Sequence, residues 1–123
     1  MKNILIVDDS SLVRRMIREV LRRRADWHVC GEAANGRDGV EMAAKLCPDL
    51  VLLDLSMPIM NGFEAAQEMK RLRPRMPILV FTSMLRSEIE SQALAAGATA
   101  VQSKFEGVES LYRSIVNLLE TAA

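Results

Sequence analysis

Charge of one sign is missing from this sequence. Sixteen basic residues face sixteen acidic ones, so no overall field favours a nucleic acid or an anionic membrane surface. Aromatics are scarce as well: one Trp, one Tyr and three Phe leave little material for stacking bases. There is a single histidine, His28, and the two cysteines, Cys30 and Cys47, form no C-x-x-C pair, which excludes a His/Cys zinc site. Both cysteines are expected to be small buried apolar residues in a reducing cytosol rather than a disulfide. No apolar run approaches the roughly 18 residues of a membrane span. The opening M-K-N-I-L-I-V begins like a signal sequence but meets two aspartates after Val7. The expectation is a cytoplasmic protein that contacts neither membrane nor nucleic acid directly.

What is present is apolar material in short pieces. Half of the 123 residues are hydrophobic, enough for the core of one domain over residues 1–123. The first short run is Ile4 to Val7. Ser10 and Ser11 then offer a helix cap, and Val13, Met16, Ile17, Val20 and Leu21 follow at helical spacing to about Arg24. The second run is His28 to Ala33. Asn35-Gly36 reads as a turn, and Val40, Met42, Ala43 and Leu46 mark a helix that stops before Pro48. The third run, Asp49 to Asp54, leads through S-M-P-I-M-N-G to a helix from about Phe63 to Arg73. The fourth, Pro77 to Ser83, precedes a helix through Ala96 closed by Gly97. The fifth, A-T-A-V-Q-S, precedes a helix from about Val108 to Glu120.

Five strand–helix repeats with continuously apolar strands predict an α/β fold: a doubly wound, five-stranded parallel sheet covered on both faces. Right-handed crossovers favour the flavodoxin-like strand order 2-1-3-4-5. Ligands of such sheets bind beyond the carboxyl ends of the strands, at the switch point. The residues there are Asp8 and Asp9 after strand 1, Asp54 after strand 3, Thr82-Ser83 after strand 4 and Lys104 after strand 5.

That set has a chemistry. Two carboxylates about 5 Å apart repel by about 3 kcal/mol at an effective dielectric near 20, and one lysine does not balance three of them. A hard divalent cation held by oxygen ligands, Mg2+ or Mn2+, fits the deficit. A metal, a lysine and a hydroxyl together would neutralise a phosphoryl group, and Asp54, on the central strand, is placed to attack phosphorus and become an acyl phosphate. Taken singly, each residue has an ordinary explanation: the acidic pair as an N-cap with dipole complement, Asp54 as a loop cap, Thr82-Ser83 as helix capping, Lys104 as a solvated charge. None of these explains why all four groups end four contiguous strands.

The motifs V-D-D-S, L-L-D-L-S-M-P-I-M-N-G, L-V-F-T-S and a lysine after strand 5 resemble the receiver domain of two-component response regulators, nearest to compact chemotaxis-type or sporulation-type single domains, over essentially the whole chain. The resemblance implies that Asp54 accepts a phosphoryl group from a histidine kinase or a histidine phosphotransfer protein. It implies that Asp9, Asp54 and the backbone carbonyl of Ser56 bind Mg2+, with Asp8 acting mainly through a water of the ion. Thr82 would donate its hydroxyl to the phosphoryl group, and Lys104 would pair with a phosphoryl oxygen. Met57-Pro58 and Gly62 match the loop that shapes the site. Ser56 and Met84 occupy the two positions said to tune dephosphorylation. The protein would not be an enzyme but a phosphoacceptor that assists its own phosphorylation and dephosphorylation. An unknown output partner would use the helix 4–strand 5–helix 5 face, on a monomer or a phosphorylation-dependent homodimer.

The chain departs from the family pattern twice. Val101 stands where an aromatic usually swings with the Thr, and Phe105 stands where Pro usually follows the lysine. A cis non-proline bond costs about 3 kcal/mol, so a trans Lys104–Phe105 bond is expected. The first helix carries Arg14, Arg15, Arg18, Arg22, Arg23 and Arg24 against one Glu, read as a solvated face bordering the kinase surface. Leu12 is positioned to contact the kinase helices. The eight methionines are read mainly as core filling, with Met57, Met60 and Met84 as an adaptable partner surface.

Other functions remain at this point. A Mg2+-dependent aspartyl phosphohydrolase of the haloacid-dehalogenase type would want D-x-D-x-T after strand 1, where this chain has D-D-S-S and no cap domain. A flavin module would want a Ser/Thr/Gly-rich phosphate loop there, and two aspartates repel a phosphate. A degenerate receiver, binding a partner without phosphorylation, stays open through Val101 and Phe105.

Overall fold

The computed structural model describes residues 1–121; the expected domain limit at residue 123 lies outside the described residues. Strands β1 (Lys2–Val7), β2 (Trp27–Ala33), β3 (Leu50–Leu53), β4 (Ile78–Thr82) and β5 (Ala100–Ser103) form one parallel sheet in the order β2-β1-β3-β4-β5. Between and after them run α1 (Ser11–Leu21), α2 (Gly36–Leu46), α3 (Gly62–Leu72), α4 (Ser87–Ala96) and α5 (Val108–Thr121). The doubly wound order expected from the alternating apolar runs is the one observed.

Continuous apolar strands are needed because both faces of the sheet are covered. Leu5, Val7, Val51, Leu53, Ile78 and Val80 pack with Ala43, Ala65, Ala66, Met69 and Ala93 of α2, α3 and α4. Ile4, Ile6, Leu50, Leu52, Leu79 and Phe81 pack on the opposite face with Ile17, Val20 and Leu21 of α1 and Leu111, Ile115 and Leu119 of α5. Successive strand residues alternate between these two cores, as the pleat requires.

Several boundaries and surroundings differ from the expectation. Helix α1 stops at Leu21, because Arg22 to Arg24 turn back through Arg23 N–H and Arg24 N–H donating to Val20 and Leu21 carbonyls. Asn35-Gly36 is not a free turn: Asn35 caps α2 by accepting from Asp38 N–H, and Gly36 is its first residue. Cys47 is exposed rather than buried, since it is the residue that ends α2 in left-handed conformation (φ 47°). Gly97 ends α4 as expected. The arginines are engaged more than a solvated face requires: Arg14 and Arg18 both pair with Glu32, Arg23 with Glu109, and Arg24 with Asp26. Of the methionines, only Met69 and Met76 are fully buried, while Met16, Met42, Met57 and Met60 lie half-buried against the cores. Among the described residues no helix is long and apolar enough to cross a membrane.

Candidate functional site

The acidic residues reach one place because their strands are neighbours and end level with each other. Asp8 N–H donates to the Ala33 carbonyl at 3.0 Å, and Asp54 N–H donates to the Val7 carbonyl at 2.9 Å, extending the β2-β1-β3 ladder by one step. The carboxylates of Asp8, Asp9 and Asp54 each offer an oxygen within 4.8 Å of the others. Asp8 and Asp54 are buried, at 2% and 6% exposure, while Asp9 is open to solvent.

Lys104 enters from β5. Its Nζ donates to Asp8 Oδ2 at 2.8 Å and lies 3.4 Å from Asp54 Oδ1. Asp8 is therefore the nearer of its two carboxylate partners. The ammonium also sits 5.9 Å from the centroid of the Phe81 ring, which adds cation–π attraction. Asp8 is further fixed by accepting from Ser10 N–H through Oδ1, and its backbone carbonyl accepts from the Arg14 guanidinium at 2.6 Å. Arg14 in turn is held by Glu32. This tie to the acidic pair is a contribution of α1 that the helical pattern alone does not reveal.

Asp54 Oδ1 accepts from Leu55 N–H at 2.9 Å. Among the described residues none donates to Oδ2, and no fully occluded side-chain oxygen lacks a partner, so Oδ2 opens to the cleft. Burial pushes the Asp54 carboxyl above its ordinary value, and the negative charge of Asp8 adds to this. Lys104 and the Leu55 N–H pull the other way.

Thr82 ends β4, opposite Ser103 in the β4–β5 register and one residue short of Lys104. It is buried, and its Oγ1 accepts from Met84 N–H at 3.1 Å, which leaves the hydroxyl proton free to donate. Ser56 lies in the exposed loop after Asp54. That loop is shaped by close approach. Gly62 N–H donates to the Leu55 carbonyl, and a Cβ at Gly62 would stand 2.1 Å from the Asp54 carbonyl oxygen. Its other end rests on α2: Gly36 N–H donates to the Met60 carbonyl at 3.0 Å, where a Cβ would come within 2.3 Å of the same oxygen. This packing draws Met57 and Met60 inward. The large apolar side chains exposed near the strand ends are Ile59, Met84 and Phe105, together with Leu12 in the first turn of α1. The Lys104–Phe105 bond is trans, there being no cis bond among the described residues.

Three carboxylates against one ammonium leave a formal charge of −2 in a partly buried cleft. Oxygen-only ligands of this kind fit Mg2+ or Mn2+. Among the described residues none donates to Asp9 or to Asp54 Oδ2, which leaves those oxygens for an ion, whereas both Asp8 oxygens already accept hydrogen bonds.

Residues 4–116 match the response regulator receiver domain family. The chain is 41% identical over 119 residues to a protein-glutamate methylesterase/protein-glutamine glutaminase of Hahella chejuensis, covering 94% of this chain but 30% of that protein. It is 39% identical over 97 residues to the chemotaxis protein CheY of Thermotoga maritima, covering 79% and 80%. Thus the chain spans less than a third of the methylesterase relative and most of the chemotaxis relative. Among solved structures, the response regulator domain of Thermotoga maritima CheB superposes with a TM-score of 0.88 at 26% identity, covering 99% and 96% of the two chains. A LuxR-family response regulator from Aurantimonas sp. superposes at 0.92 with 29% identity, covering 98% and 86%.

Proposed function

Because the chain belongs to the response regulator receiver domain family, we propose that Asp54 is its phosphoacceptor and that a histidine kinase or histidine phosphotransfer protein is its donor. One observation carries this reading. A buried carboxylate opens a single oxygen to a cleft whose other walls are two carboxylates and a lysine.

The reaction needs little covalent work from the protein. Asp54 Oδ2 attacks phosphorus, the P–N bond of the phosphohistidine breaks, and its electron pair returns to the imidazole nitrogen, which takes up a proton. Lys104, already between Asp8 and Asp54, turns to an oxygen of the transferred group. Thr82 donates its free hydroxyl proton to another oxygen. Asp9, Asp54 and the Ser56 carbonyl would hold Mg2+, with Asp8 in support. The ion, when bound, supplies the positive charge that lets carboxylates and phosphoryl oxygens share one cleft. Asp8 meanwhile orients Lys104, and its backbone is held by Arg14.

The exposed apolar groups Leu12, Ile59, Met84 and Phe105 fit a rim on which the helices of a phosphodonor protein rest while the acidic centre receives the phosphoryl group. The output surface is the α4–β5–α5 face, and the proposed unit is a single receiver domain acting in the cytoplasm. The esterase and glutaminase activities named for the relatives belong to those proteins; the role proposed for this chain is that of phosphoacceptor. Incubation with acetyl phosphate tests the reading: uptake should require Mg2+ and stop on adding EDTA. Metal-independent uptake contradicts the proposed centre, and multiple turnover of small phosphate esters would make the protein a phosphohydrolase instead.

A further inference from the structure

Strand β5 carries one polar side chain pointing into a core. Val101 packs with the α2–α3–α4 side, so the next residue, Gln102, faces α5. Gln102 is only 5% exposed, and it lies on the face where Ala100, Leu111 and Ile115 pack. A buried amide must be paired, and this one is paired completely. Its NH2 group donates to Glu106 Oε2 at 2.9 Å and to Ser110 Oγ at 2.9 Å, and its carbonyl accepts from Ser114 Oγ at 2.6 Å. Ser110 Oγ also donates to Glu106 Oε2 at 3.3 Å. Four side chains from β5, the 3-10 turn Lys104–Glu106 and α5 thus close one network.

The network straddles Lys104, which lies between Gln102 and Glu106 in the chain. The turn has few other anchors. Phe105 is 81% exposed and makes no core contact. Gly107 has φ 91°, and a Cβ there would meet nothing within 4 Å. Among the described residues, besides the network and the ion pairs of Lys104 itself, the turn's side-chain support is Ser103 Oγ, which accepts from Phe105 N–H at 3.1 Å. Yet the ammonium of Lys104 must reach Asp8 and Asp54 to within 2.8 and 3.4 Å.

We infer that Gln102 is a positioning residue: through Glu106, Ser110 and Ser114 it fixes the turn that delivers Lys104 to the phosphoacceptor site. This rests on the reading of Asp54 and Lys104 given above. The network does here what a rigid proline after the lysine would do by restricting the backbone. It also joins the lysine's turn to α5, so the site and that helix share one set of hydrogen bonds.

The test measures the rate at which the whole chain takes phosphate from acetyl phosphate at saturating Mg2+. Gln102→Leu removes the amide and keeps apolar volume. Its rate should fall by between about tenfold and a hundredfold, as displacement of a catalytic group by a fraction of an ångström to an ångström does. In a Lys104→Ala background the same substitution should have no further effect. Glu106→Gln, which keeps an acceptor for Gln102, should retain the rate, while Glu106→Leu, at an exposed position, should lose it without endangering the fold. An unchanged rate in both Gln102→Leu and Glu106→Leu overturns the inference alone, and so does a loss that multiplies with Lys104→Ala. No uptake by the unaltered chain overturns the functional reading and this inference together.

Discussion

Replacing Lys104 by Met removes the ammonium that pairs with Asp8 and Asp54 while keeping most of its volume. At 2.8 and 3.4 Å, and an effective dielectric near 20, the ammonium attracts Asp8 and Asp54 by about 6 and about 5 kcal/mol. Those two carboxylates repel each other by at least about 3.5 kcal/mol at separations up to 4.8 Å. Desolvation of the lysine offsets much of the attraction, and removing one partner of a buried ion pair typically costs about 3–5 kcal/mol. Taking about 3 kcal/mol and an unfolding entropy of about 2.1 cal/mol/K per residue, the melting temperature should fall by about 12 °C at pH 8 without divalent metal. The loss must depend on pH. Without Lys104 the Asp54 carboxyl is raised further above its unfolded value, so folding favours its protonated form. For such a group stability is fully present below the unfolded value and is lost as pH rises through the folded one. The deficit should therefore be small in acid, grow towards neutral pH and then level. Mg2+ should also stabilise Lys104→Met more than it stabilises the unaltered protein, because the ion replaces missing positive charge. Calorimetry across pH 4 to 8, with EDTA or with Mg2+, reads all of this. A loss that is the same at every pH and insensitive to Mg2+ would refute the electrostatic account.

Three further outcomes follow from the same geometry. Gly62→Ala places a Cβ 2.1 Å from the Asp54 carbonyl oxygen and 2.6 Å from Leu55 Cα, both backbone atoms that cannot swing aside; chemical denaturation should show a loss of more than about 3 kcal/mol. Asp54→Asn should raise stability at neutral pH and have little effect in acid, because burial and Asp8 raise the carboxyl it removes; melts at both pH values check the sign. Leu12→Asp, at a side chain 74% exposed on α1, should leave the melting temperature unchanged but slow transfer from the cognate kinase, with uptake from acetyl phosphate unaffected.

The fold was legible because its signal is local and repeated. β1, β3 and β4 are short, mainly apolar segments, β2 and β5 carry shorter apolar runs broken by polar residues, and the helices between them have apolar residues at helical spacing. The order of the sheet then follows from the handedness of crossovers. Asp8, Asp9, Asp54 and Lys104 were legible for the same reason, as polar residues at the ends of strands that had to lie side by side, and the structure brings them together. What stayed hidden depends on side-chain reach. A strand position does not say whether Lys104 extends to Asp8 or Asp54, since the two carboxylates are adjacent and one lysine spans both. Arg14 looked like one of several helix arginines, and only its rotation about α1 puts it on the Asp8 carbonyl. Gln102 did leave a signal: an amide within a buried strand must find partners, and Ser110 and Ser114 are spaced one helical turn apart to supply them.

The central claim is that these strand-end groups form one phosphoryl-accepting centre with Asp54 as its nucleophile. Intact-mass measurement after exposure to acetyl phosphate and Mg2+ tests it most directly. The unaltered chain should gain the mass of one phosphoryl group, and Asp54→Asn should gain none. Modification that survives in Asp54→Asn would contradict the account.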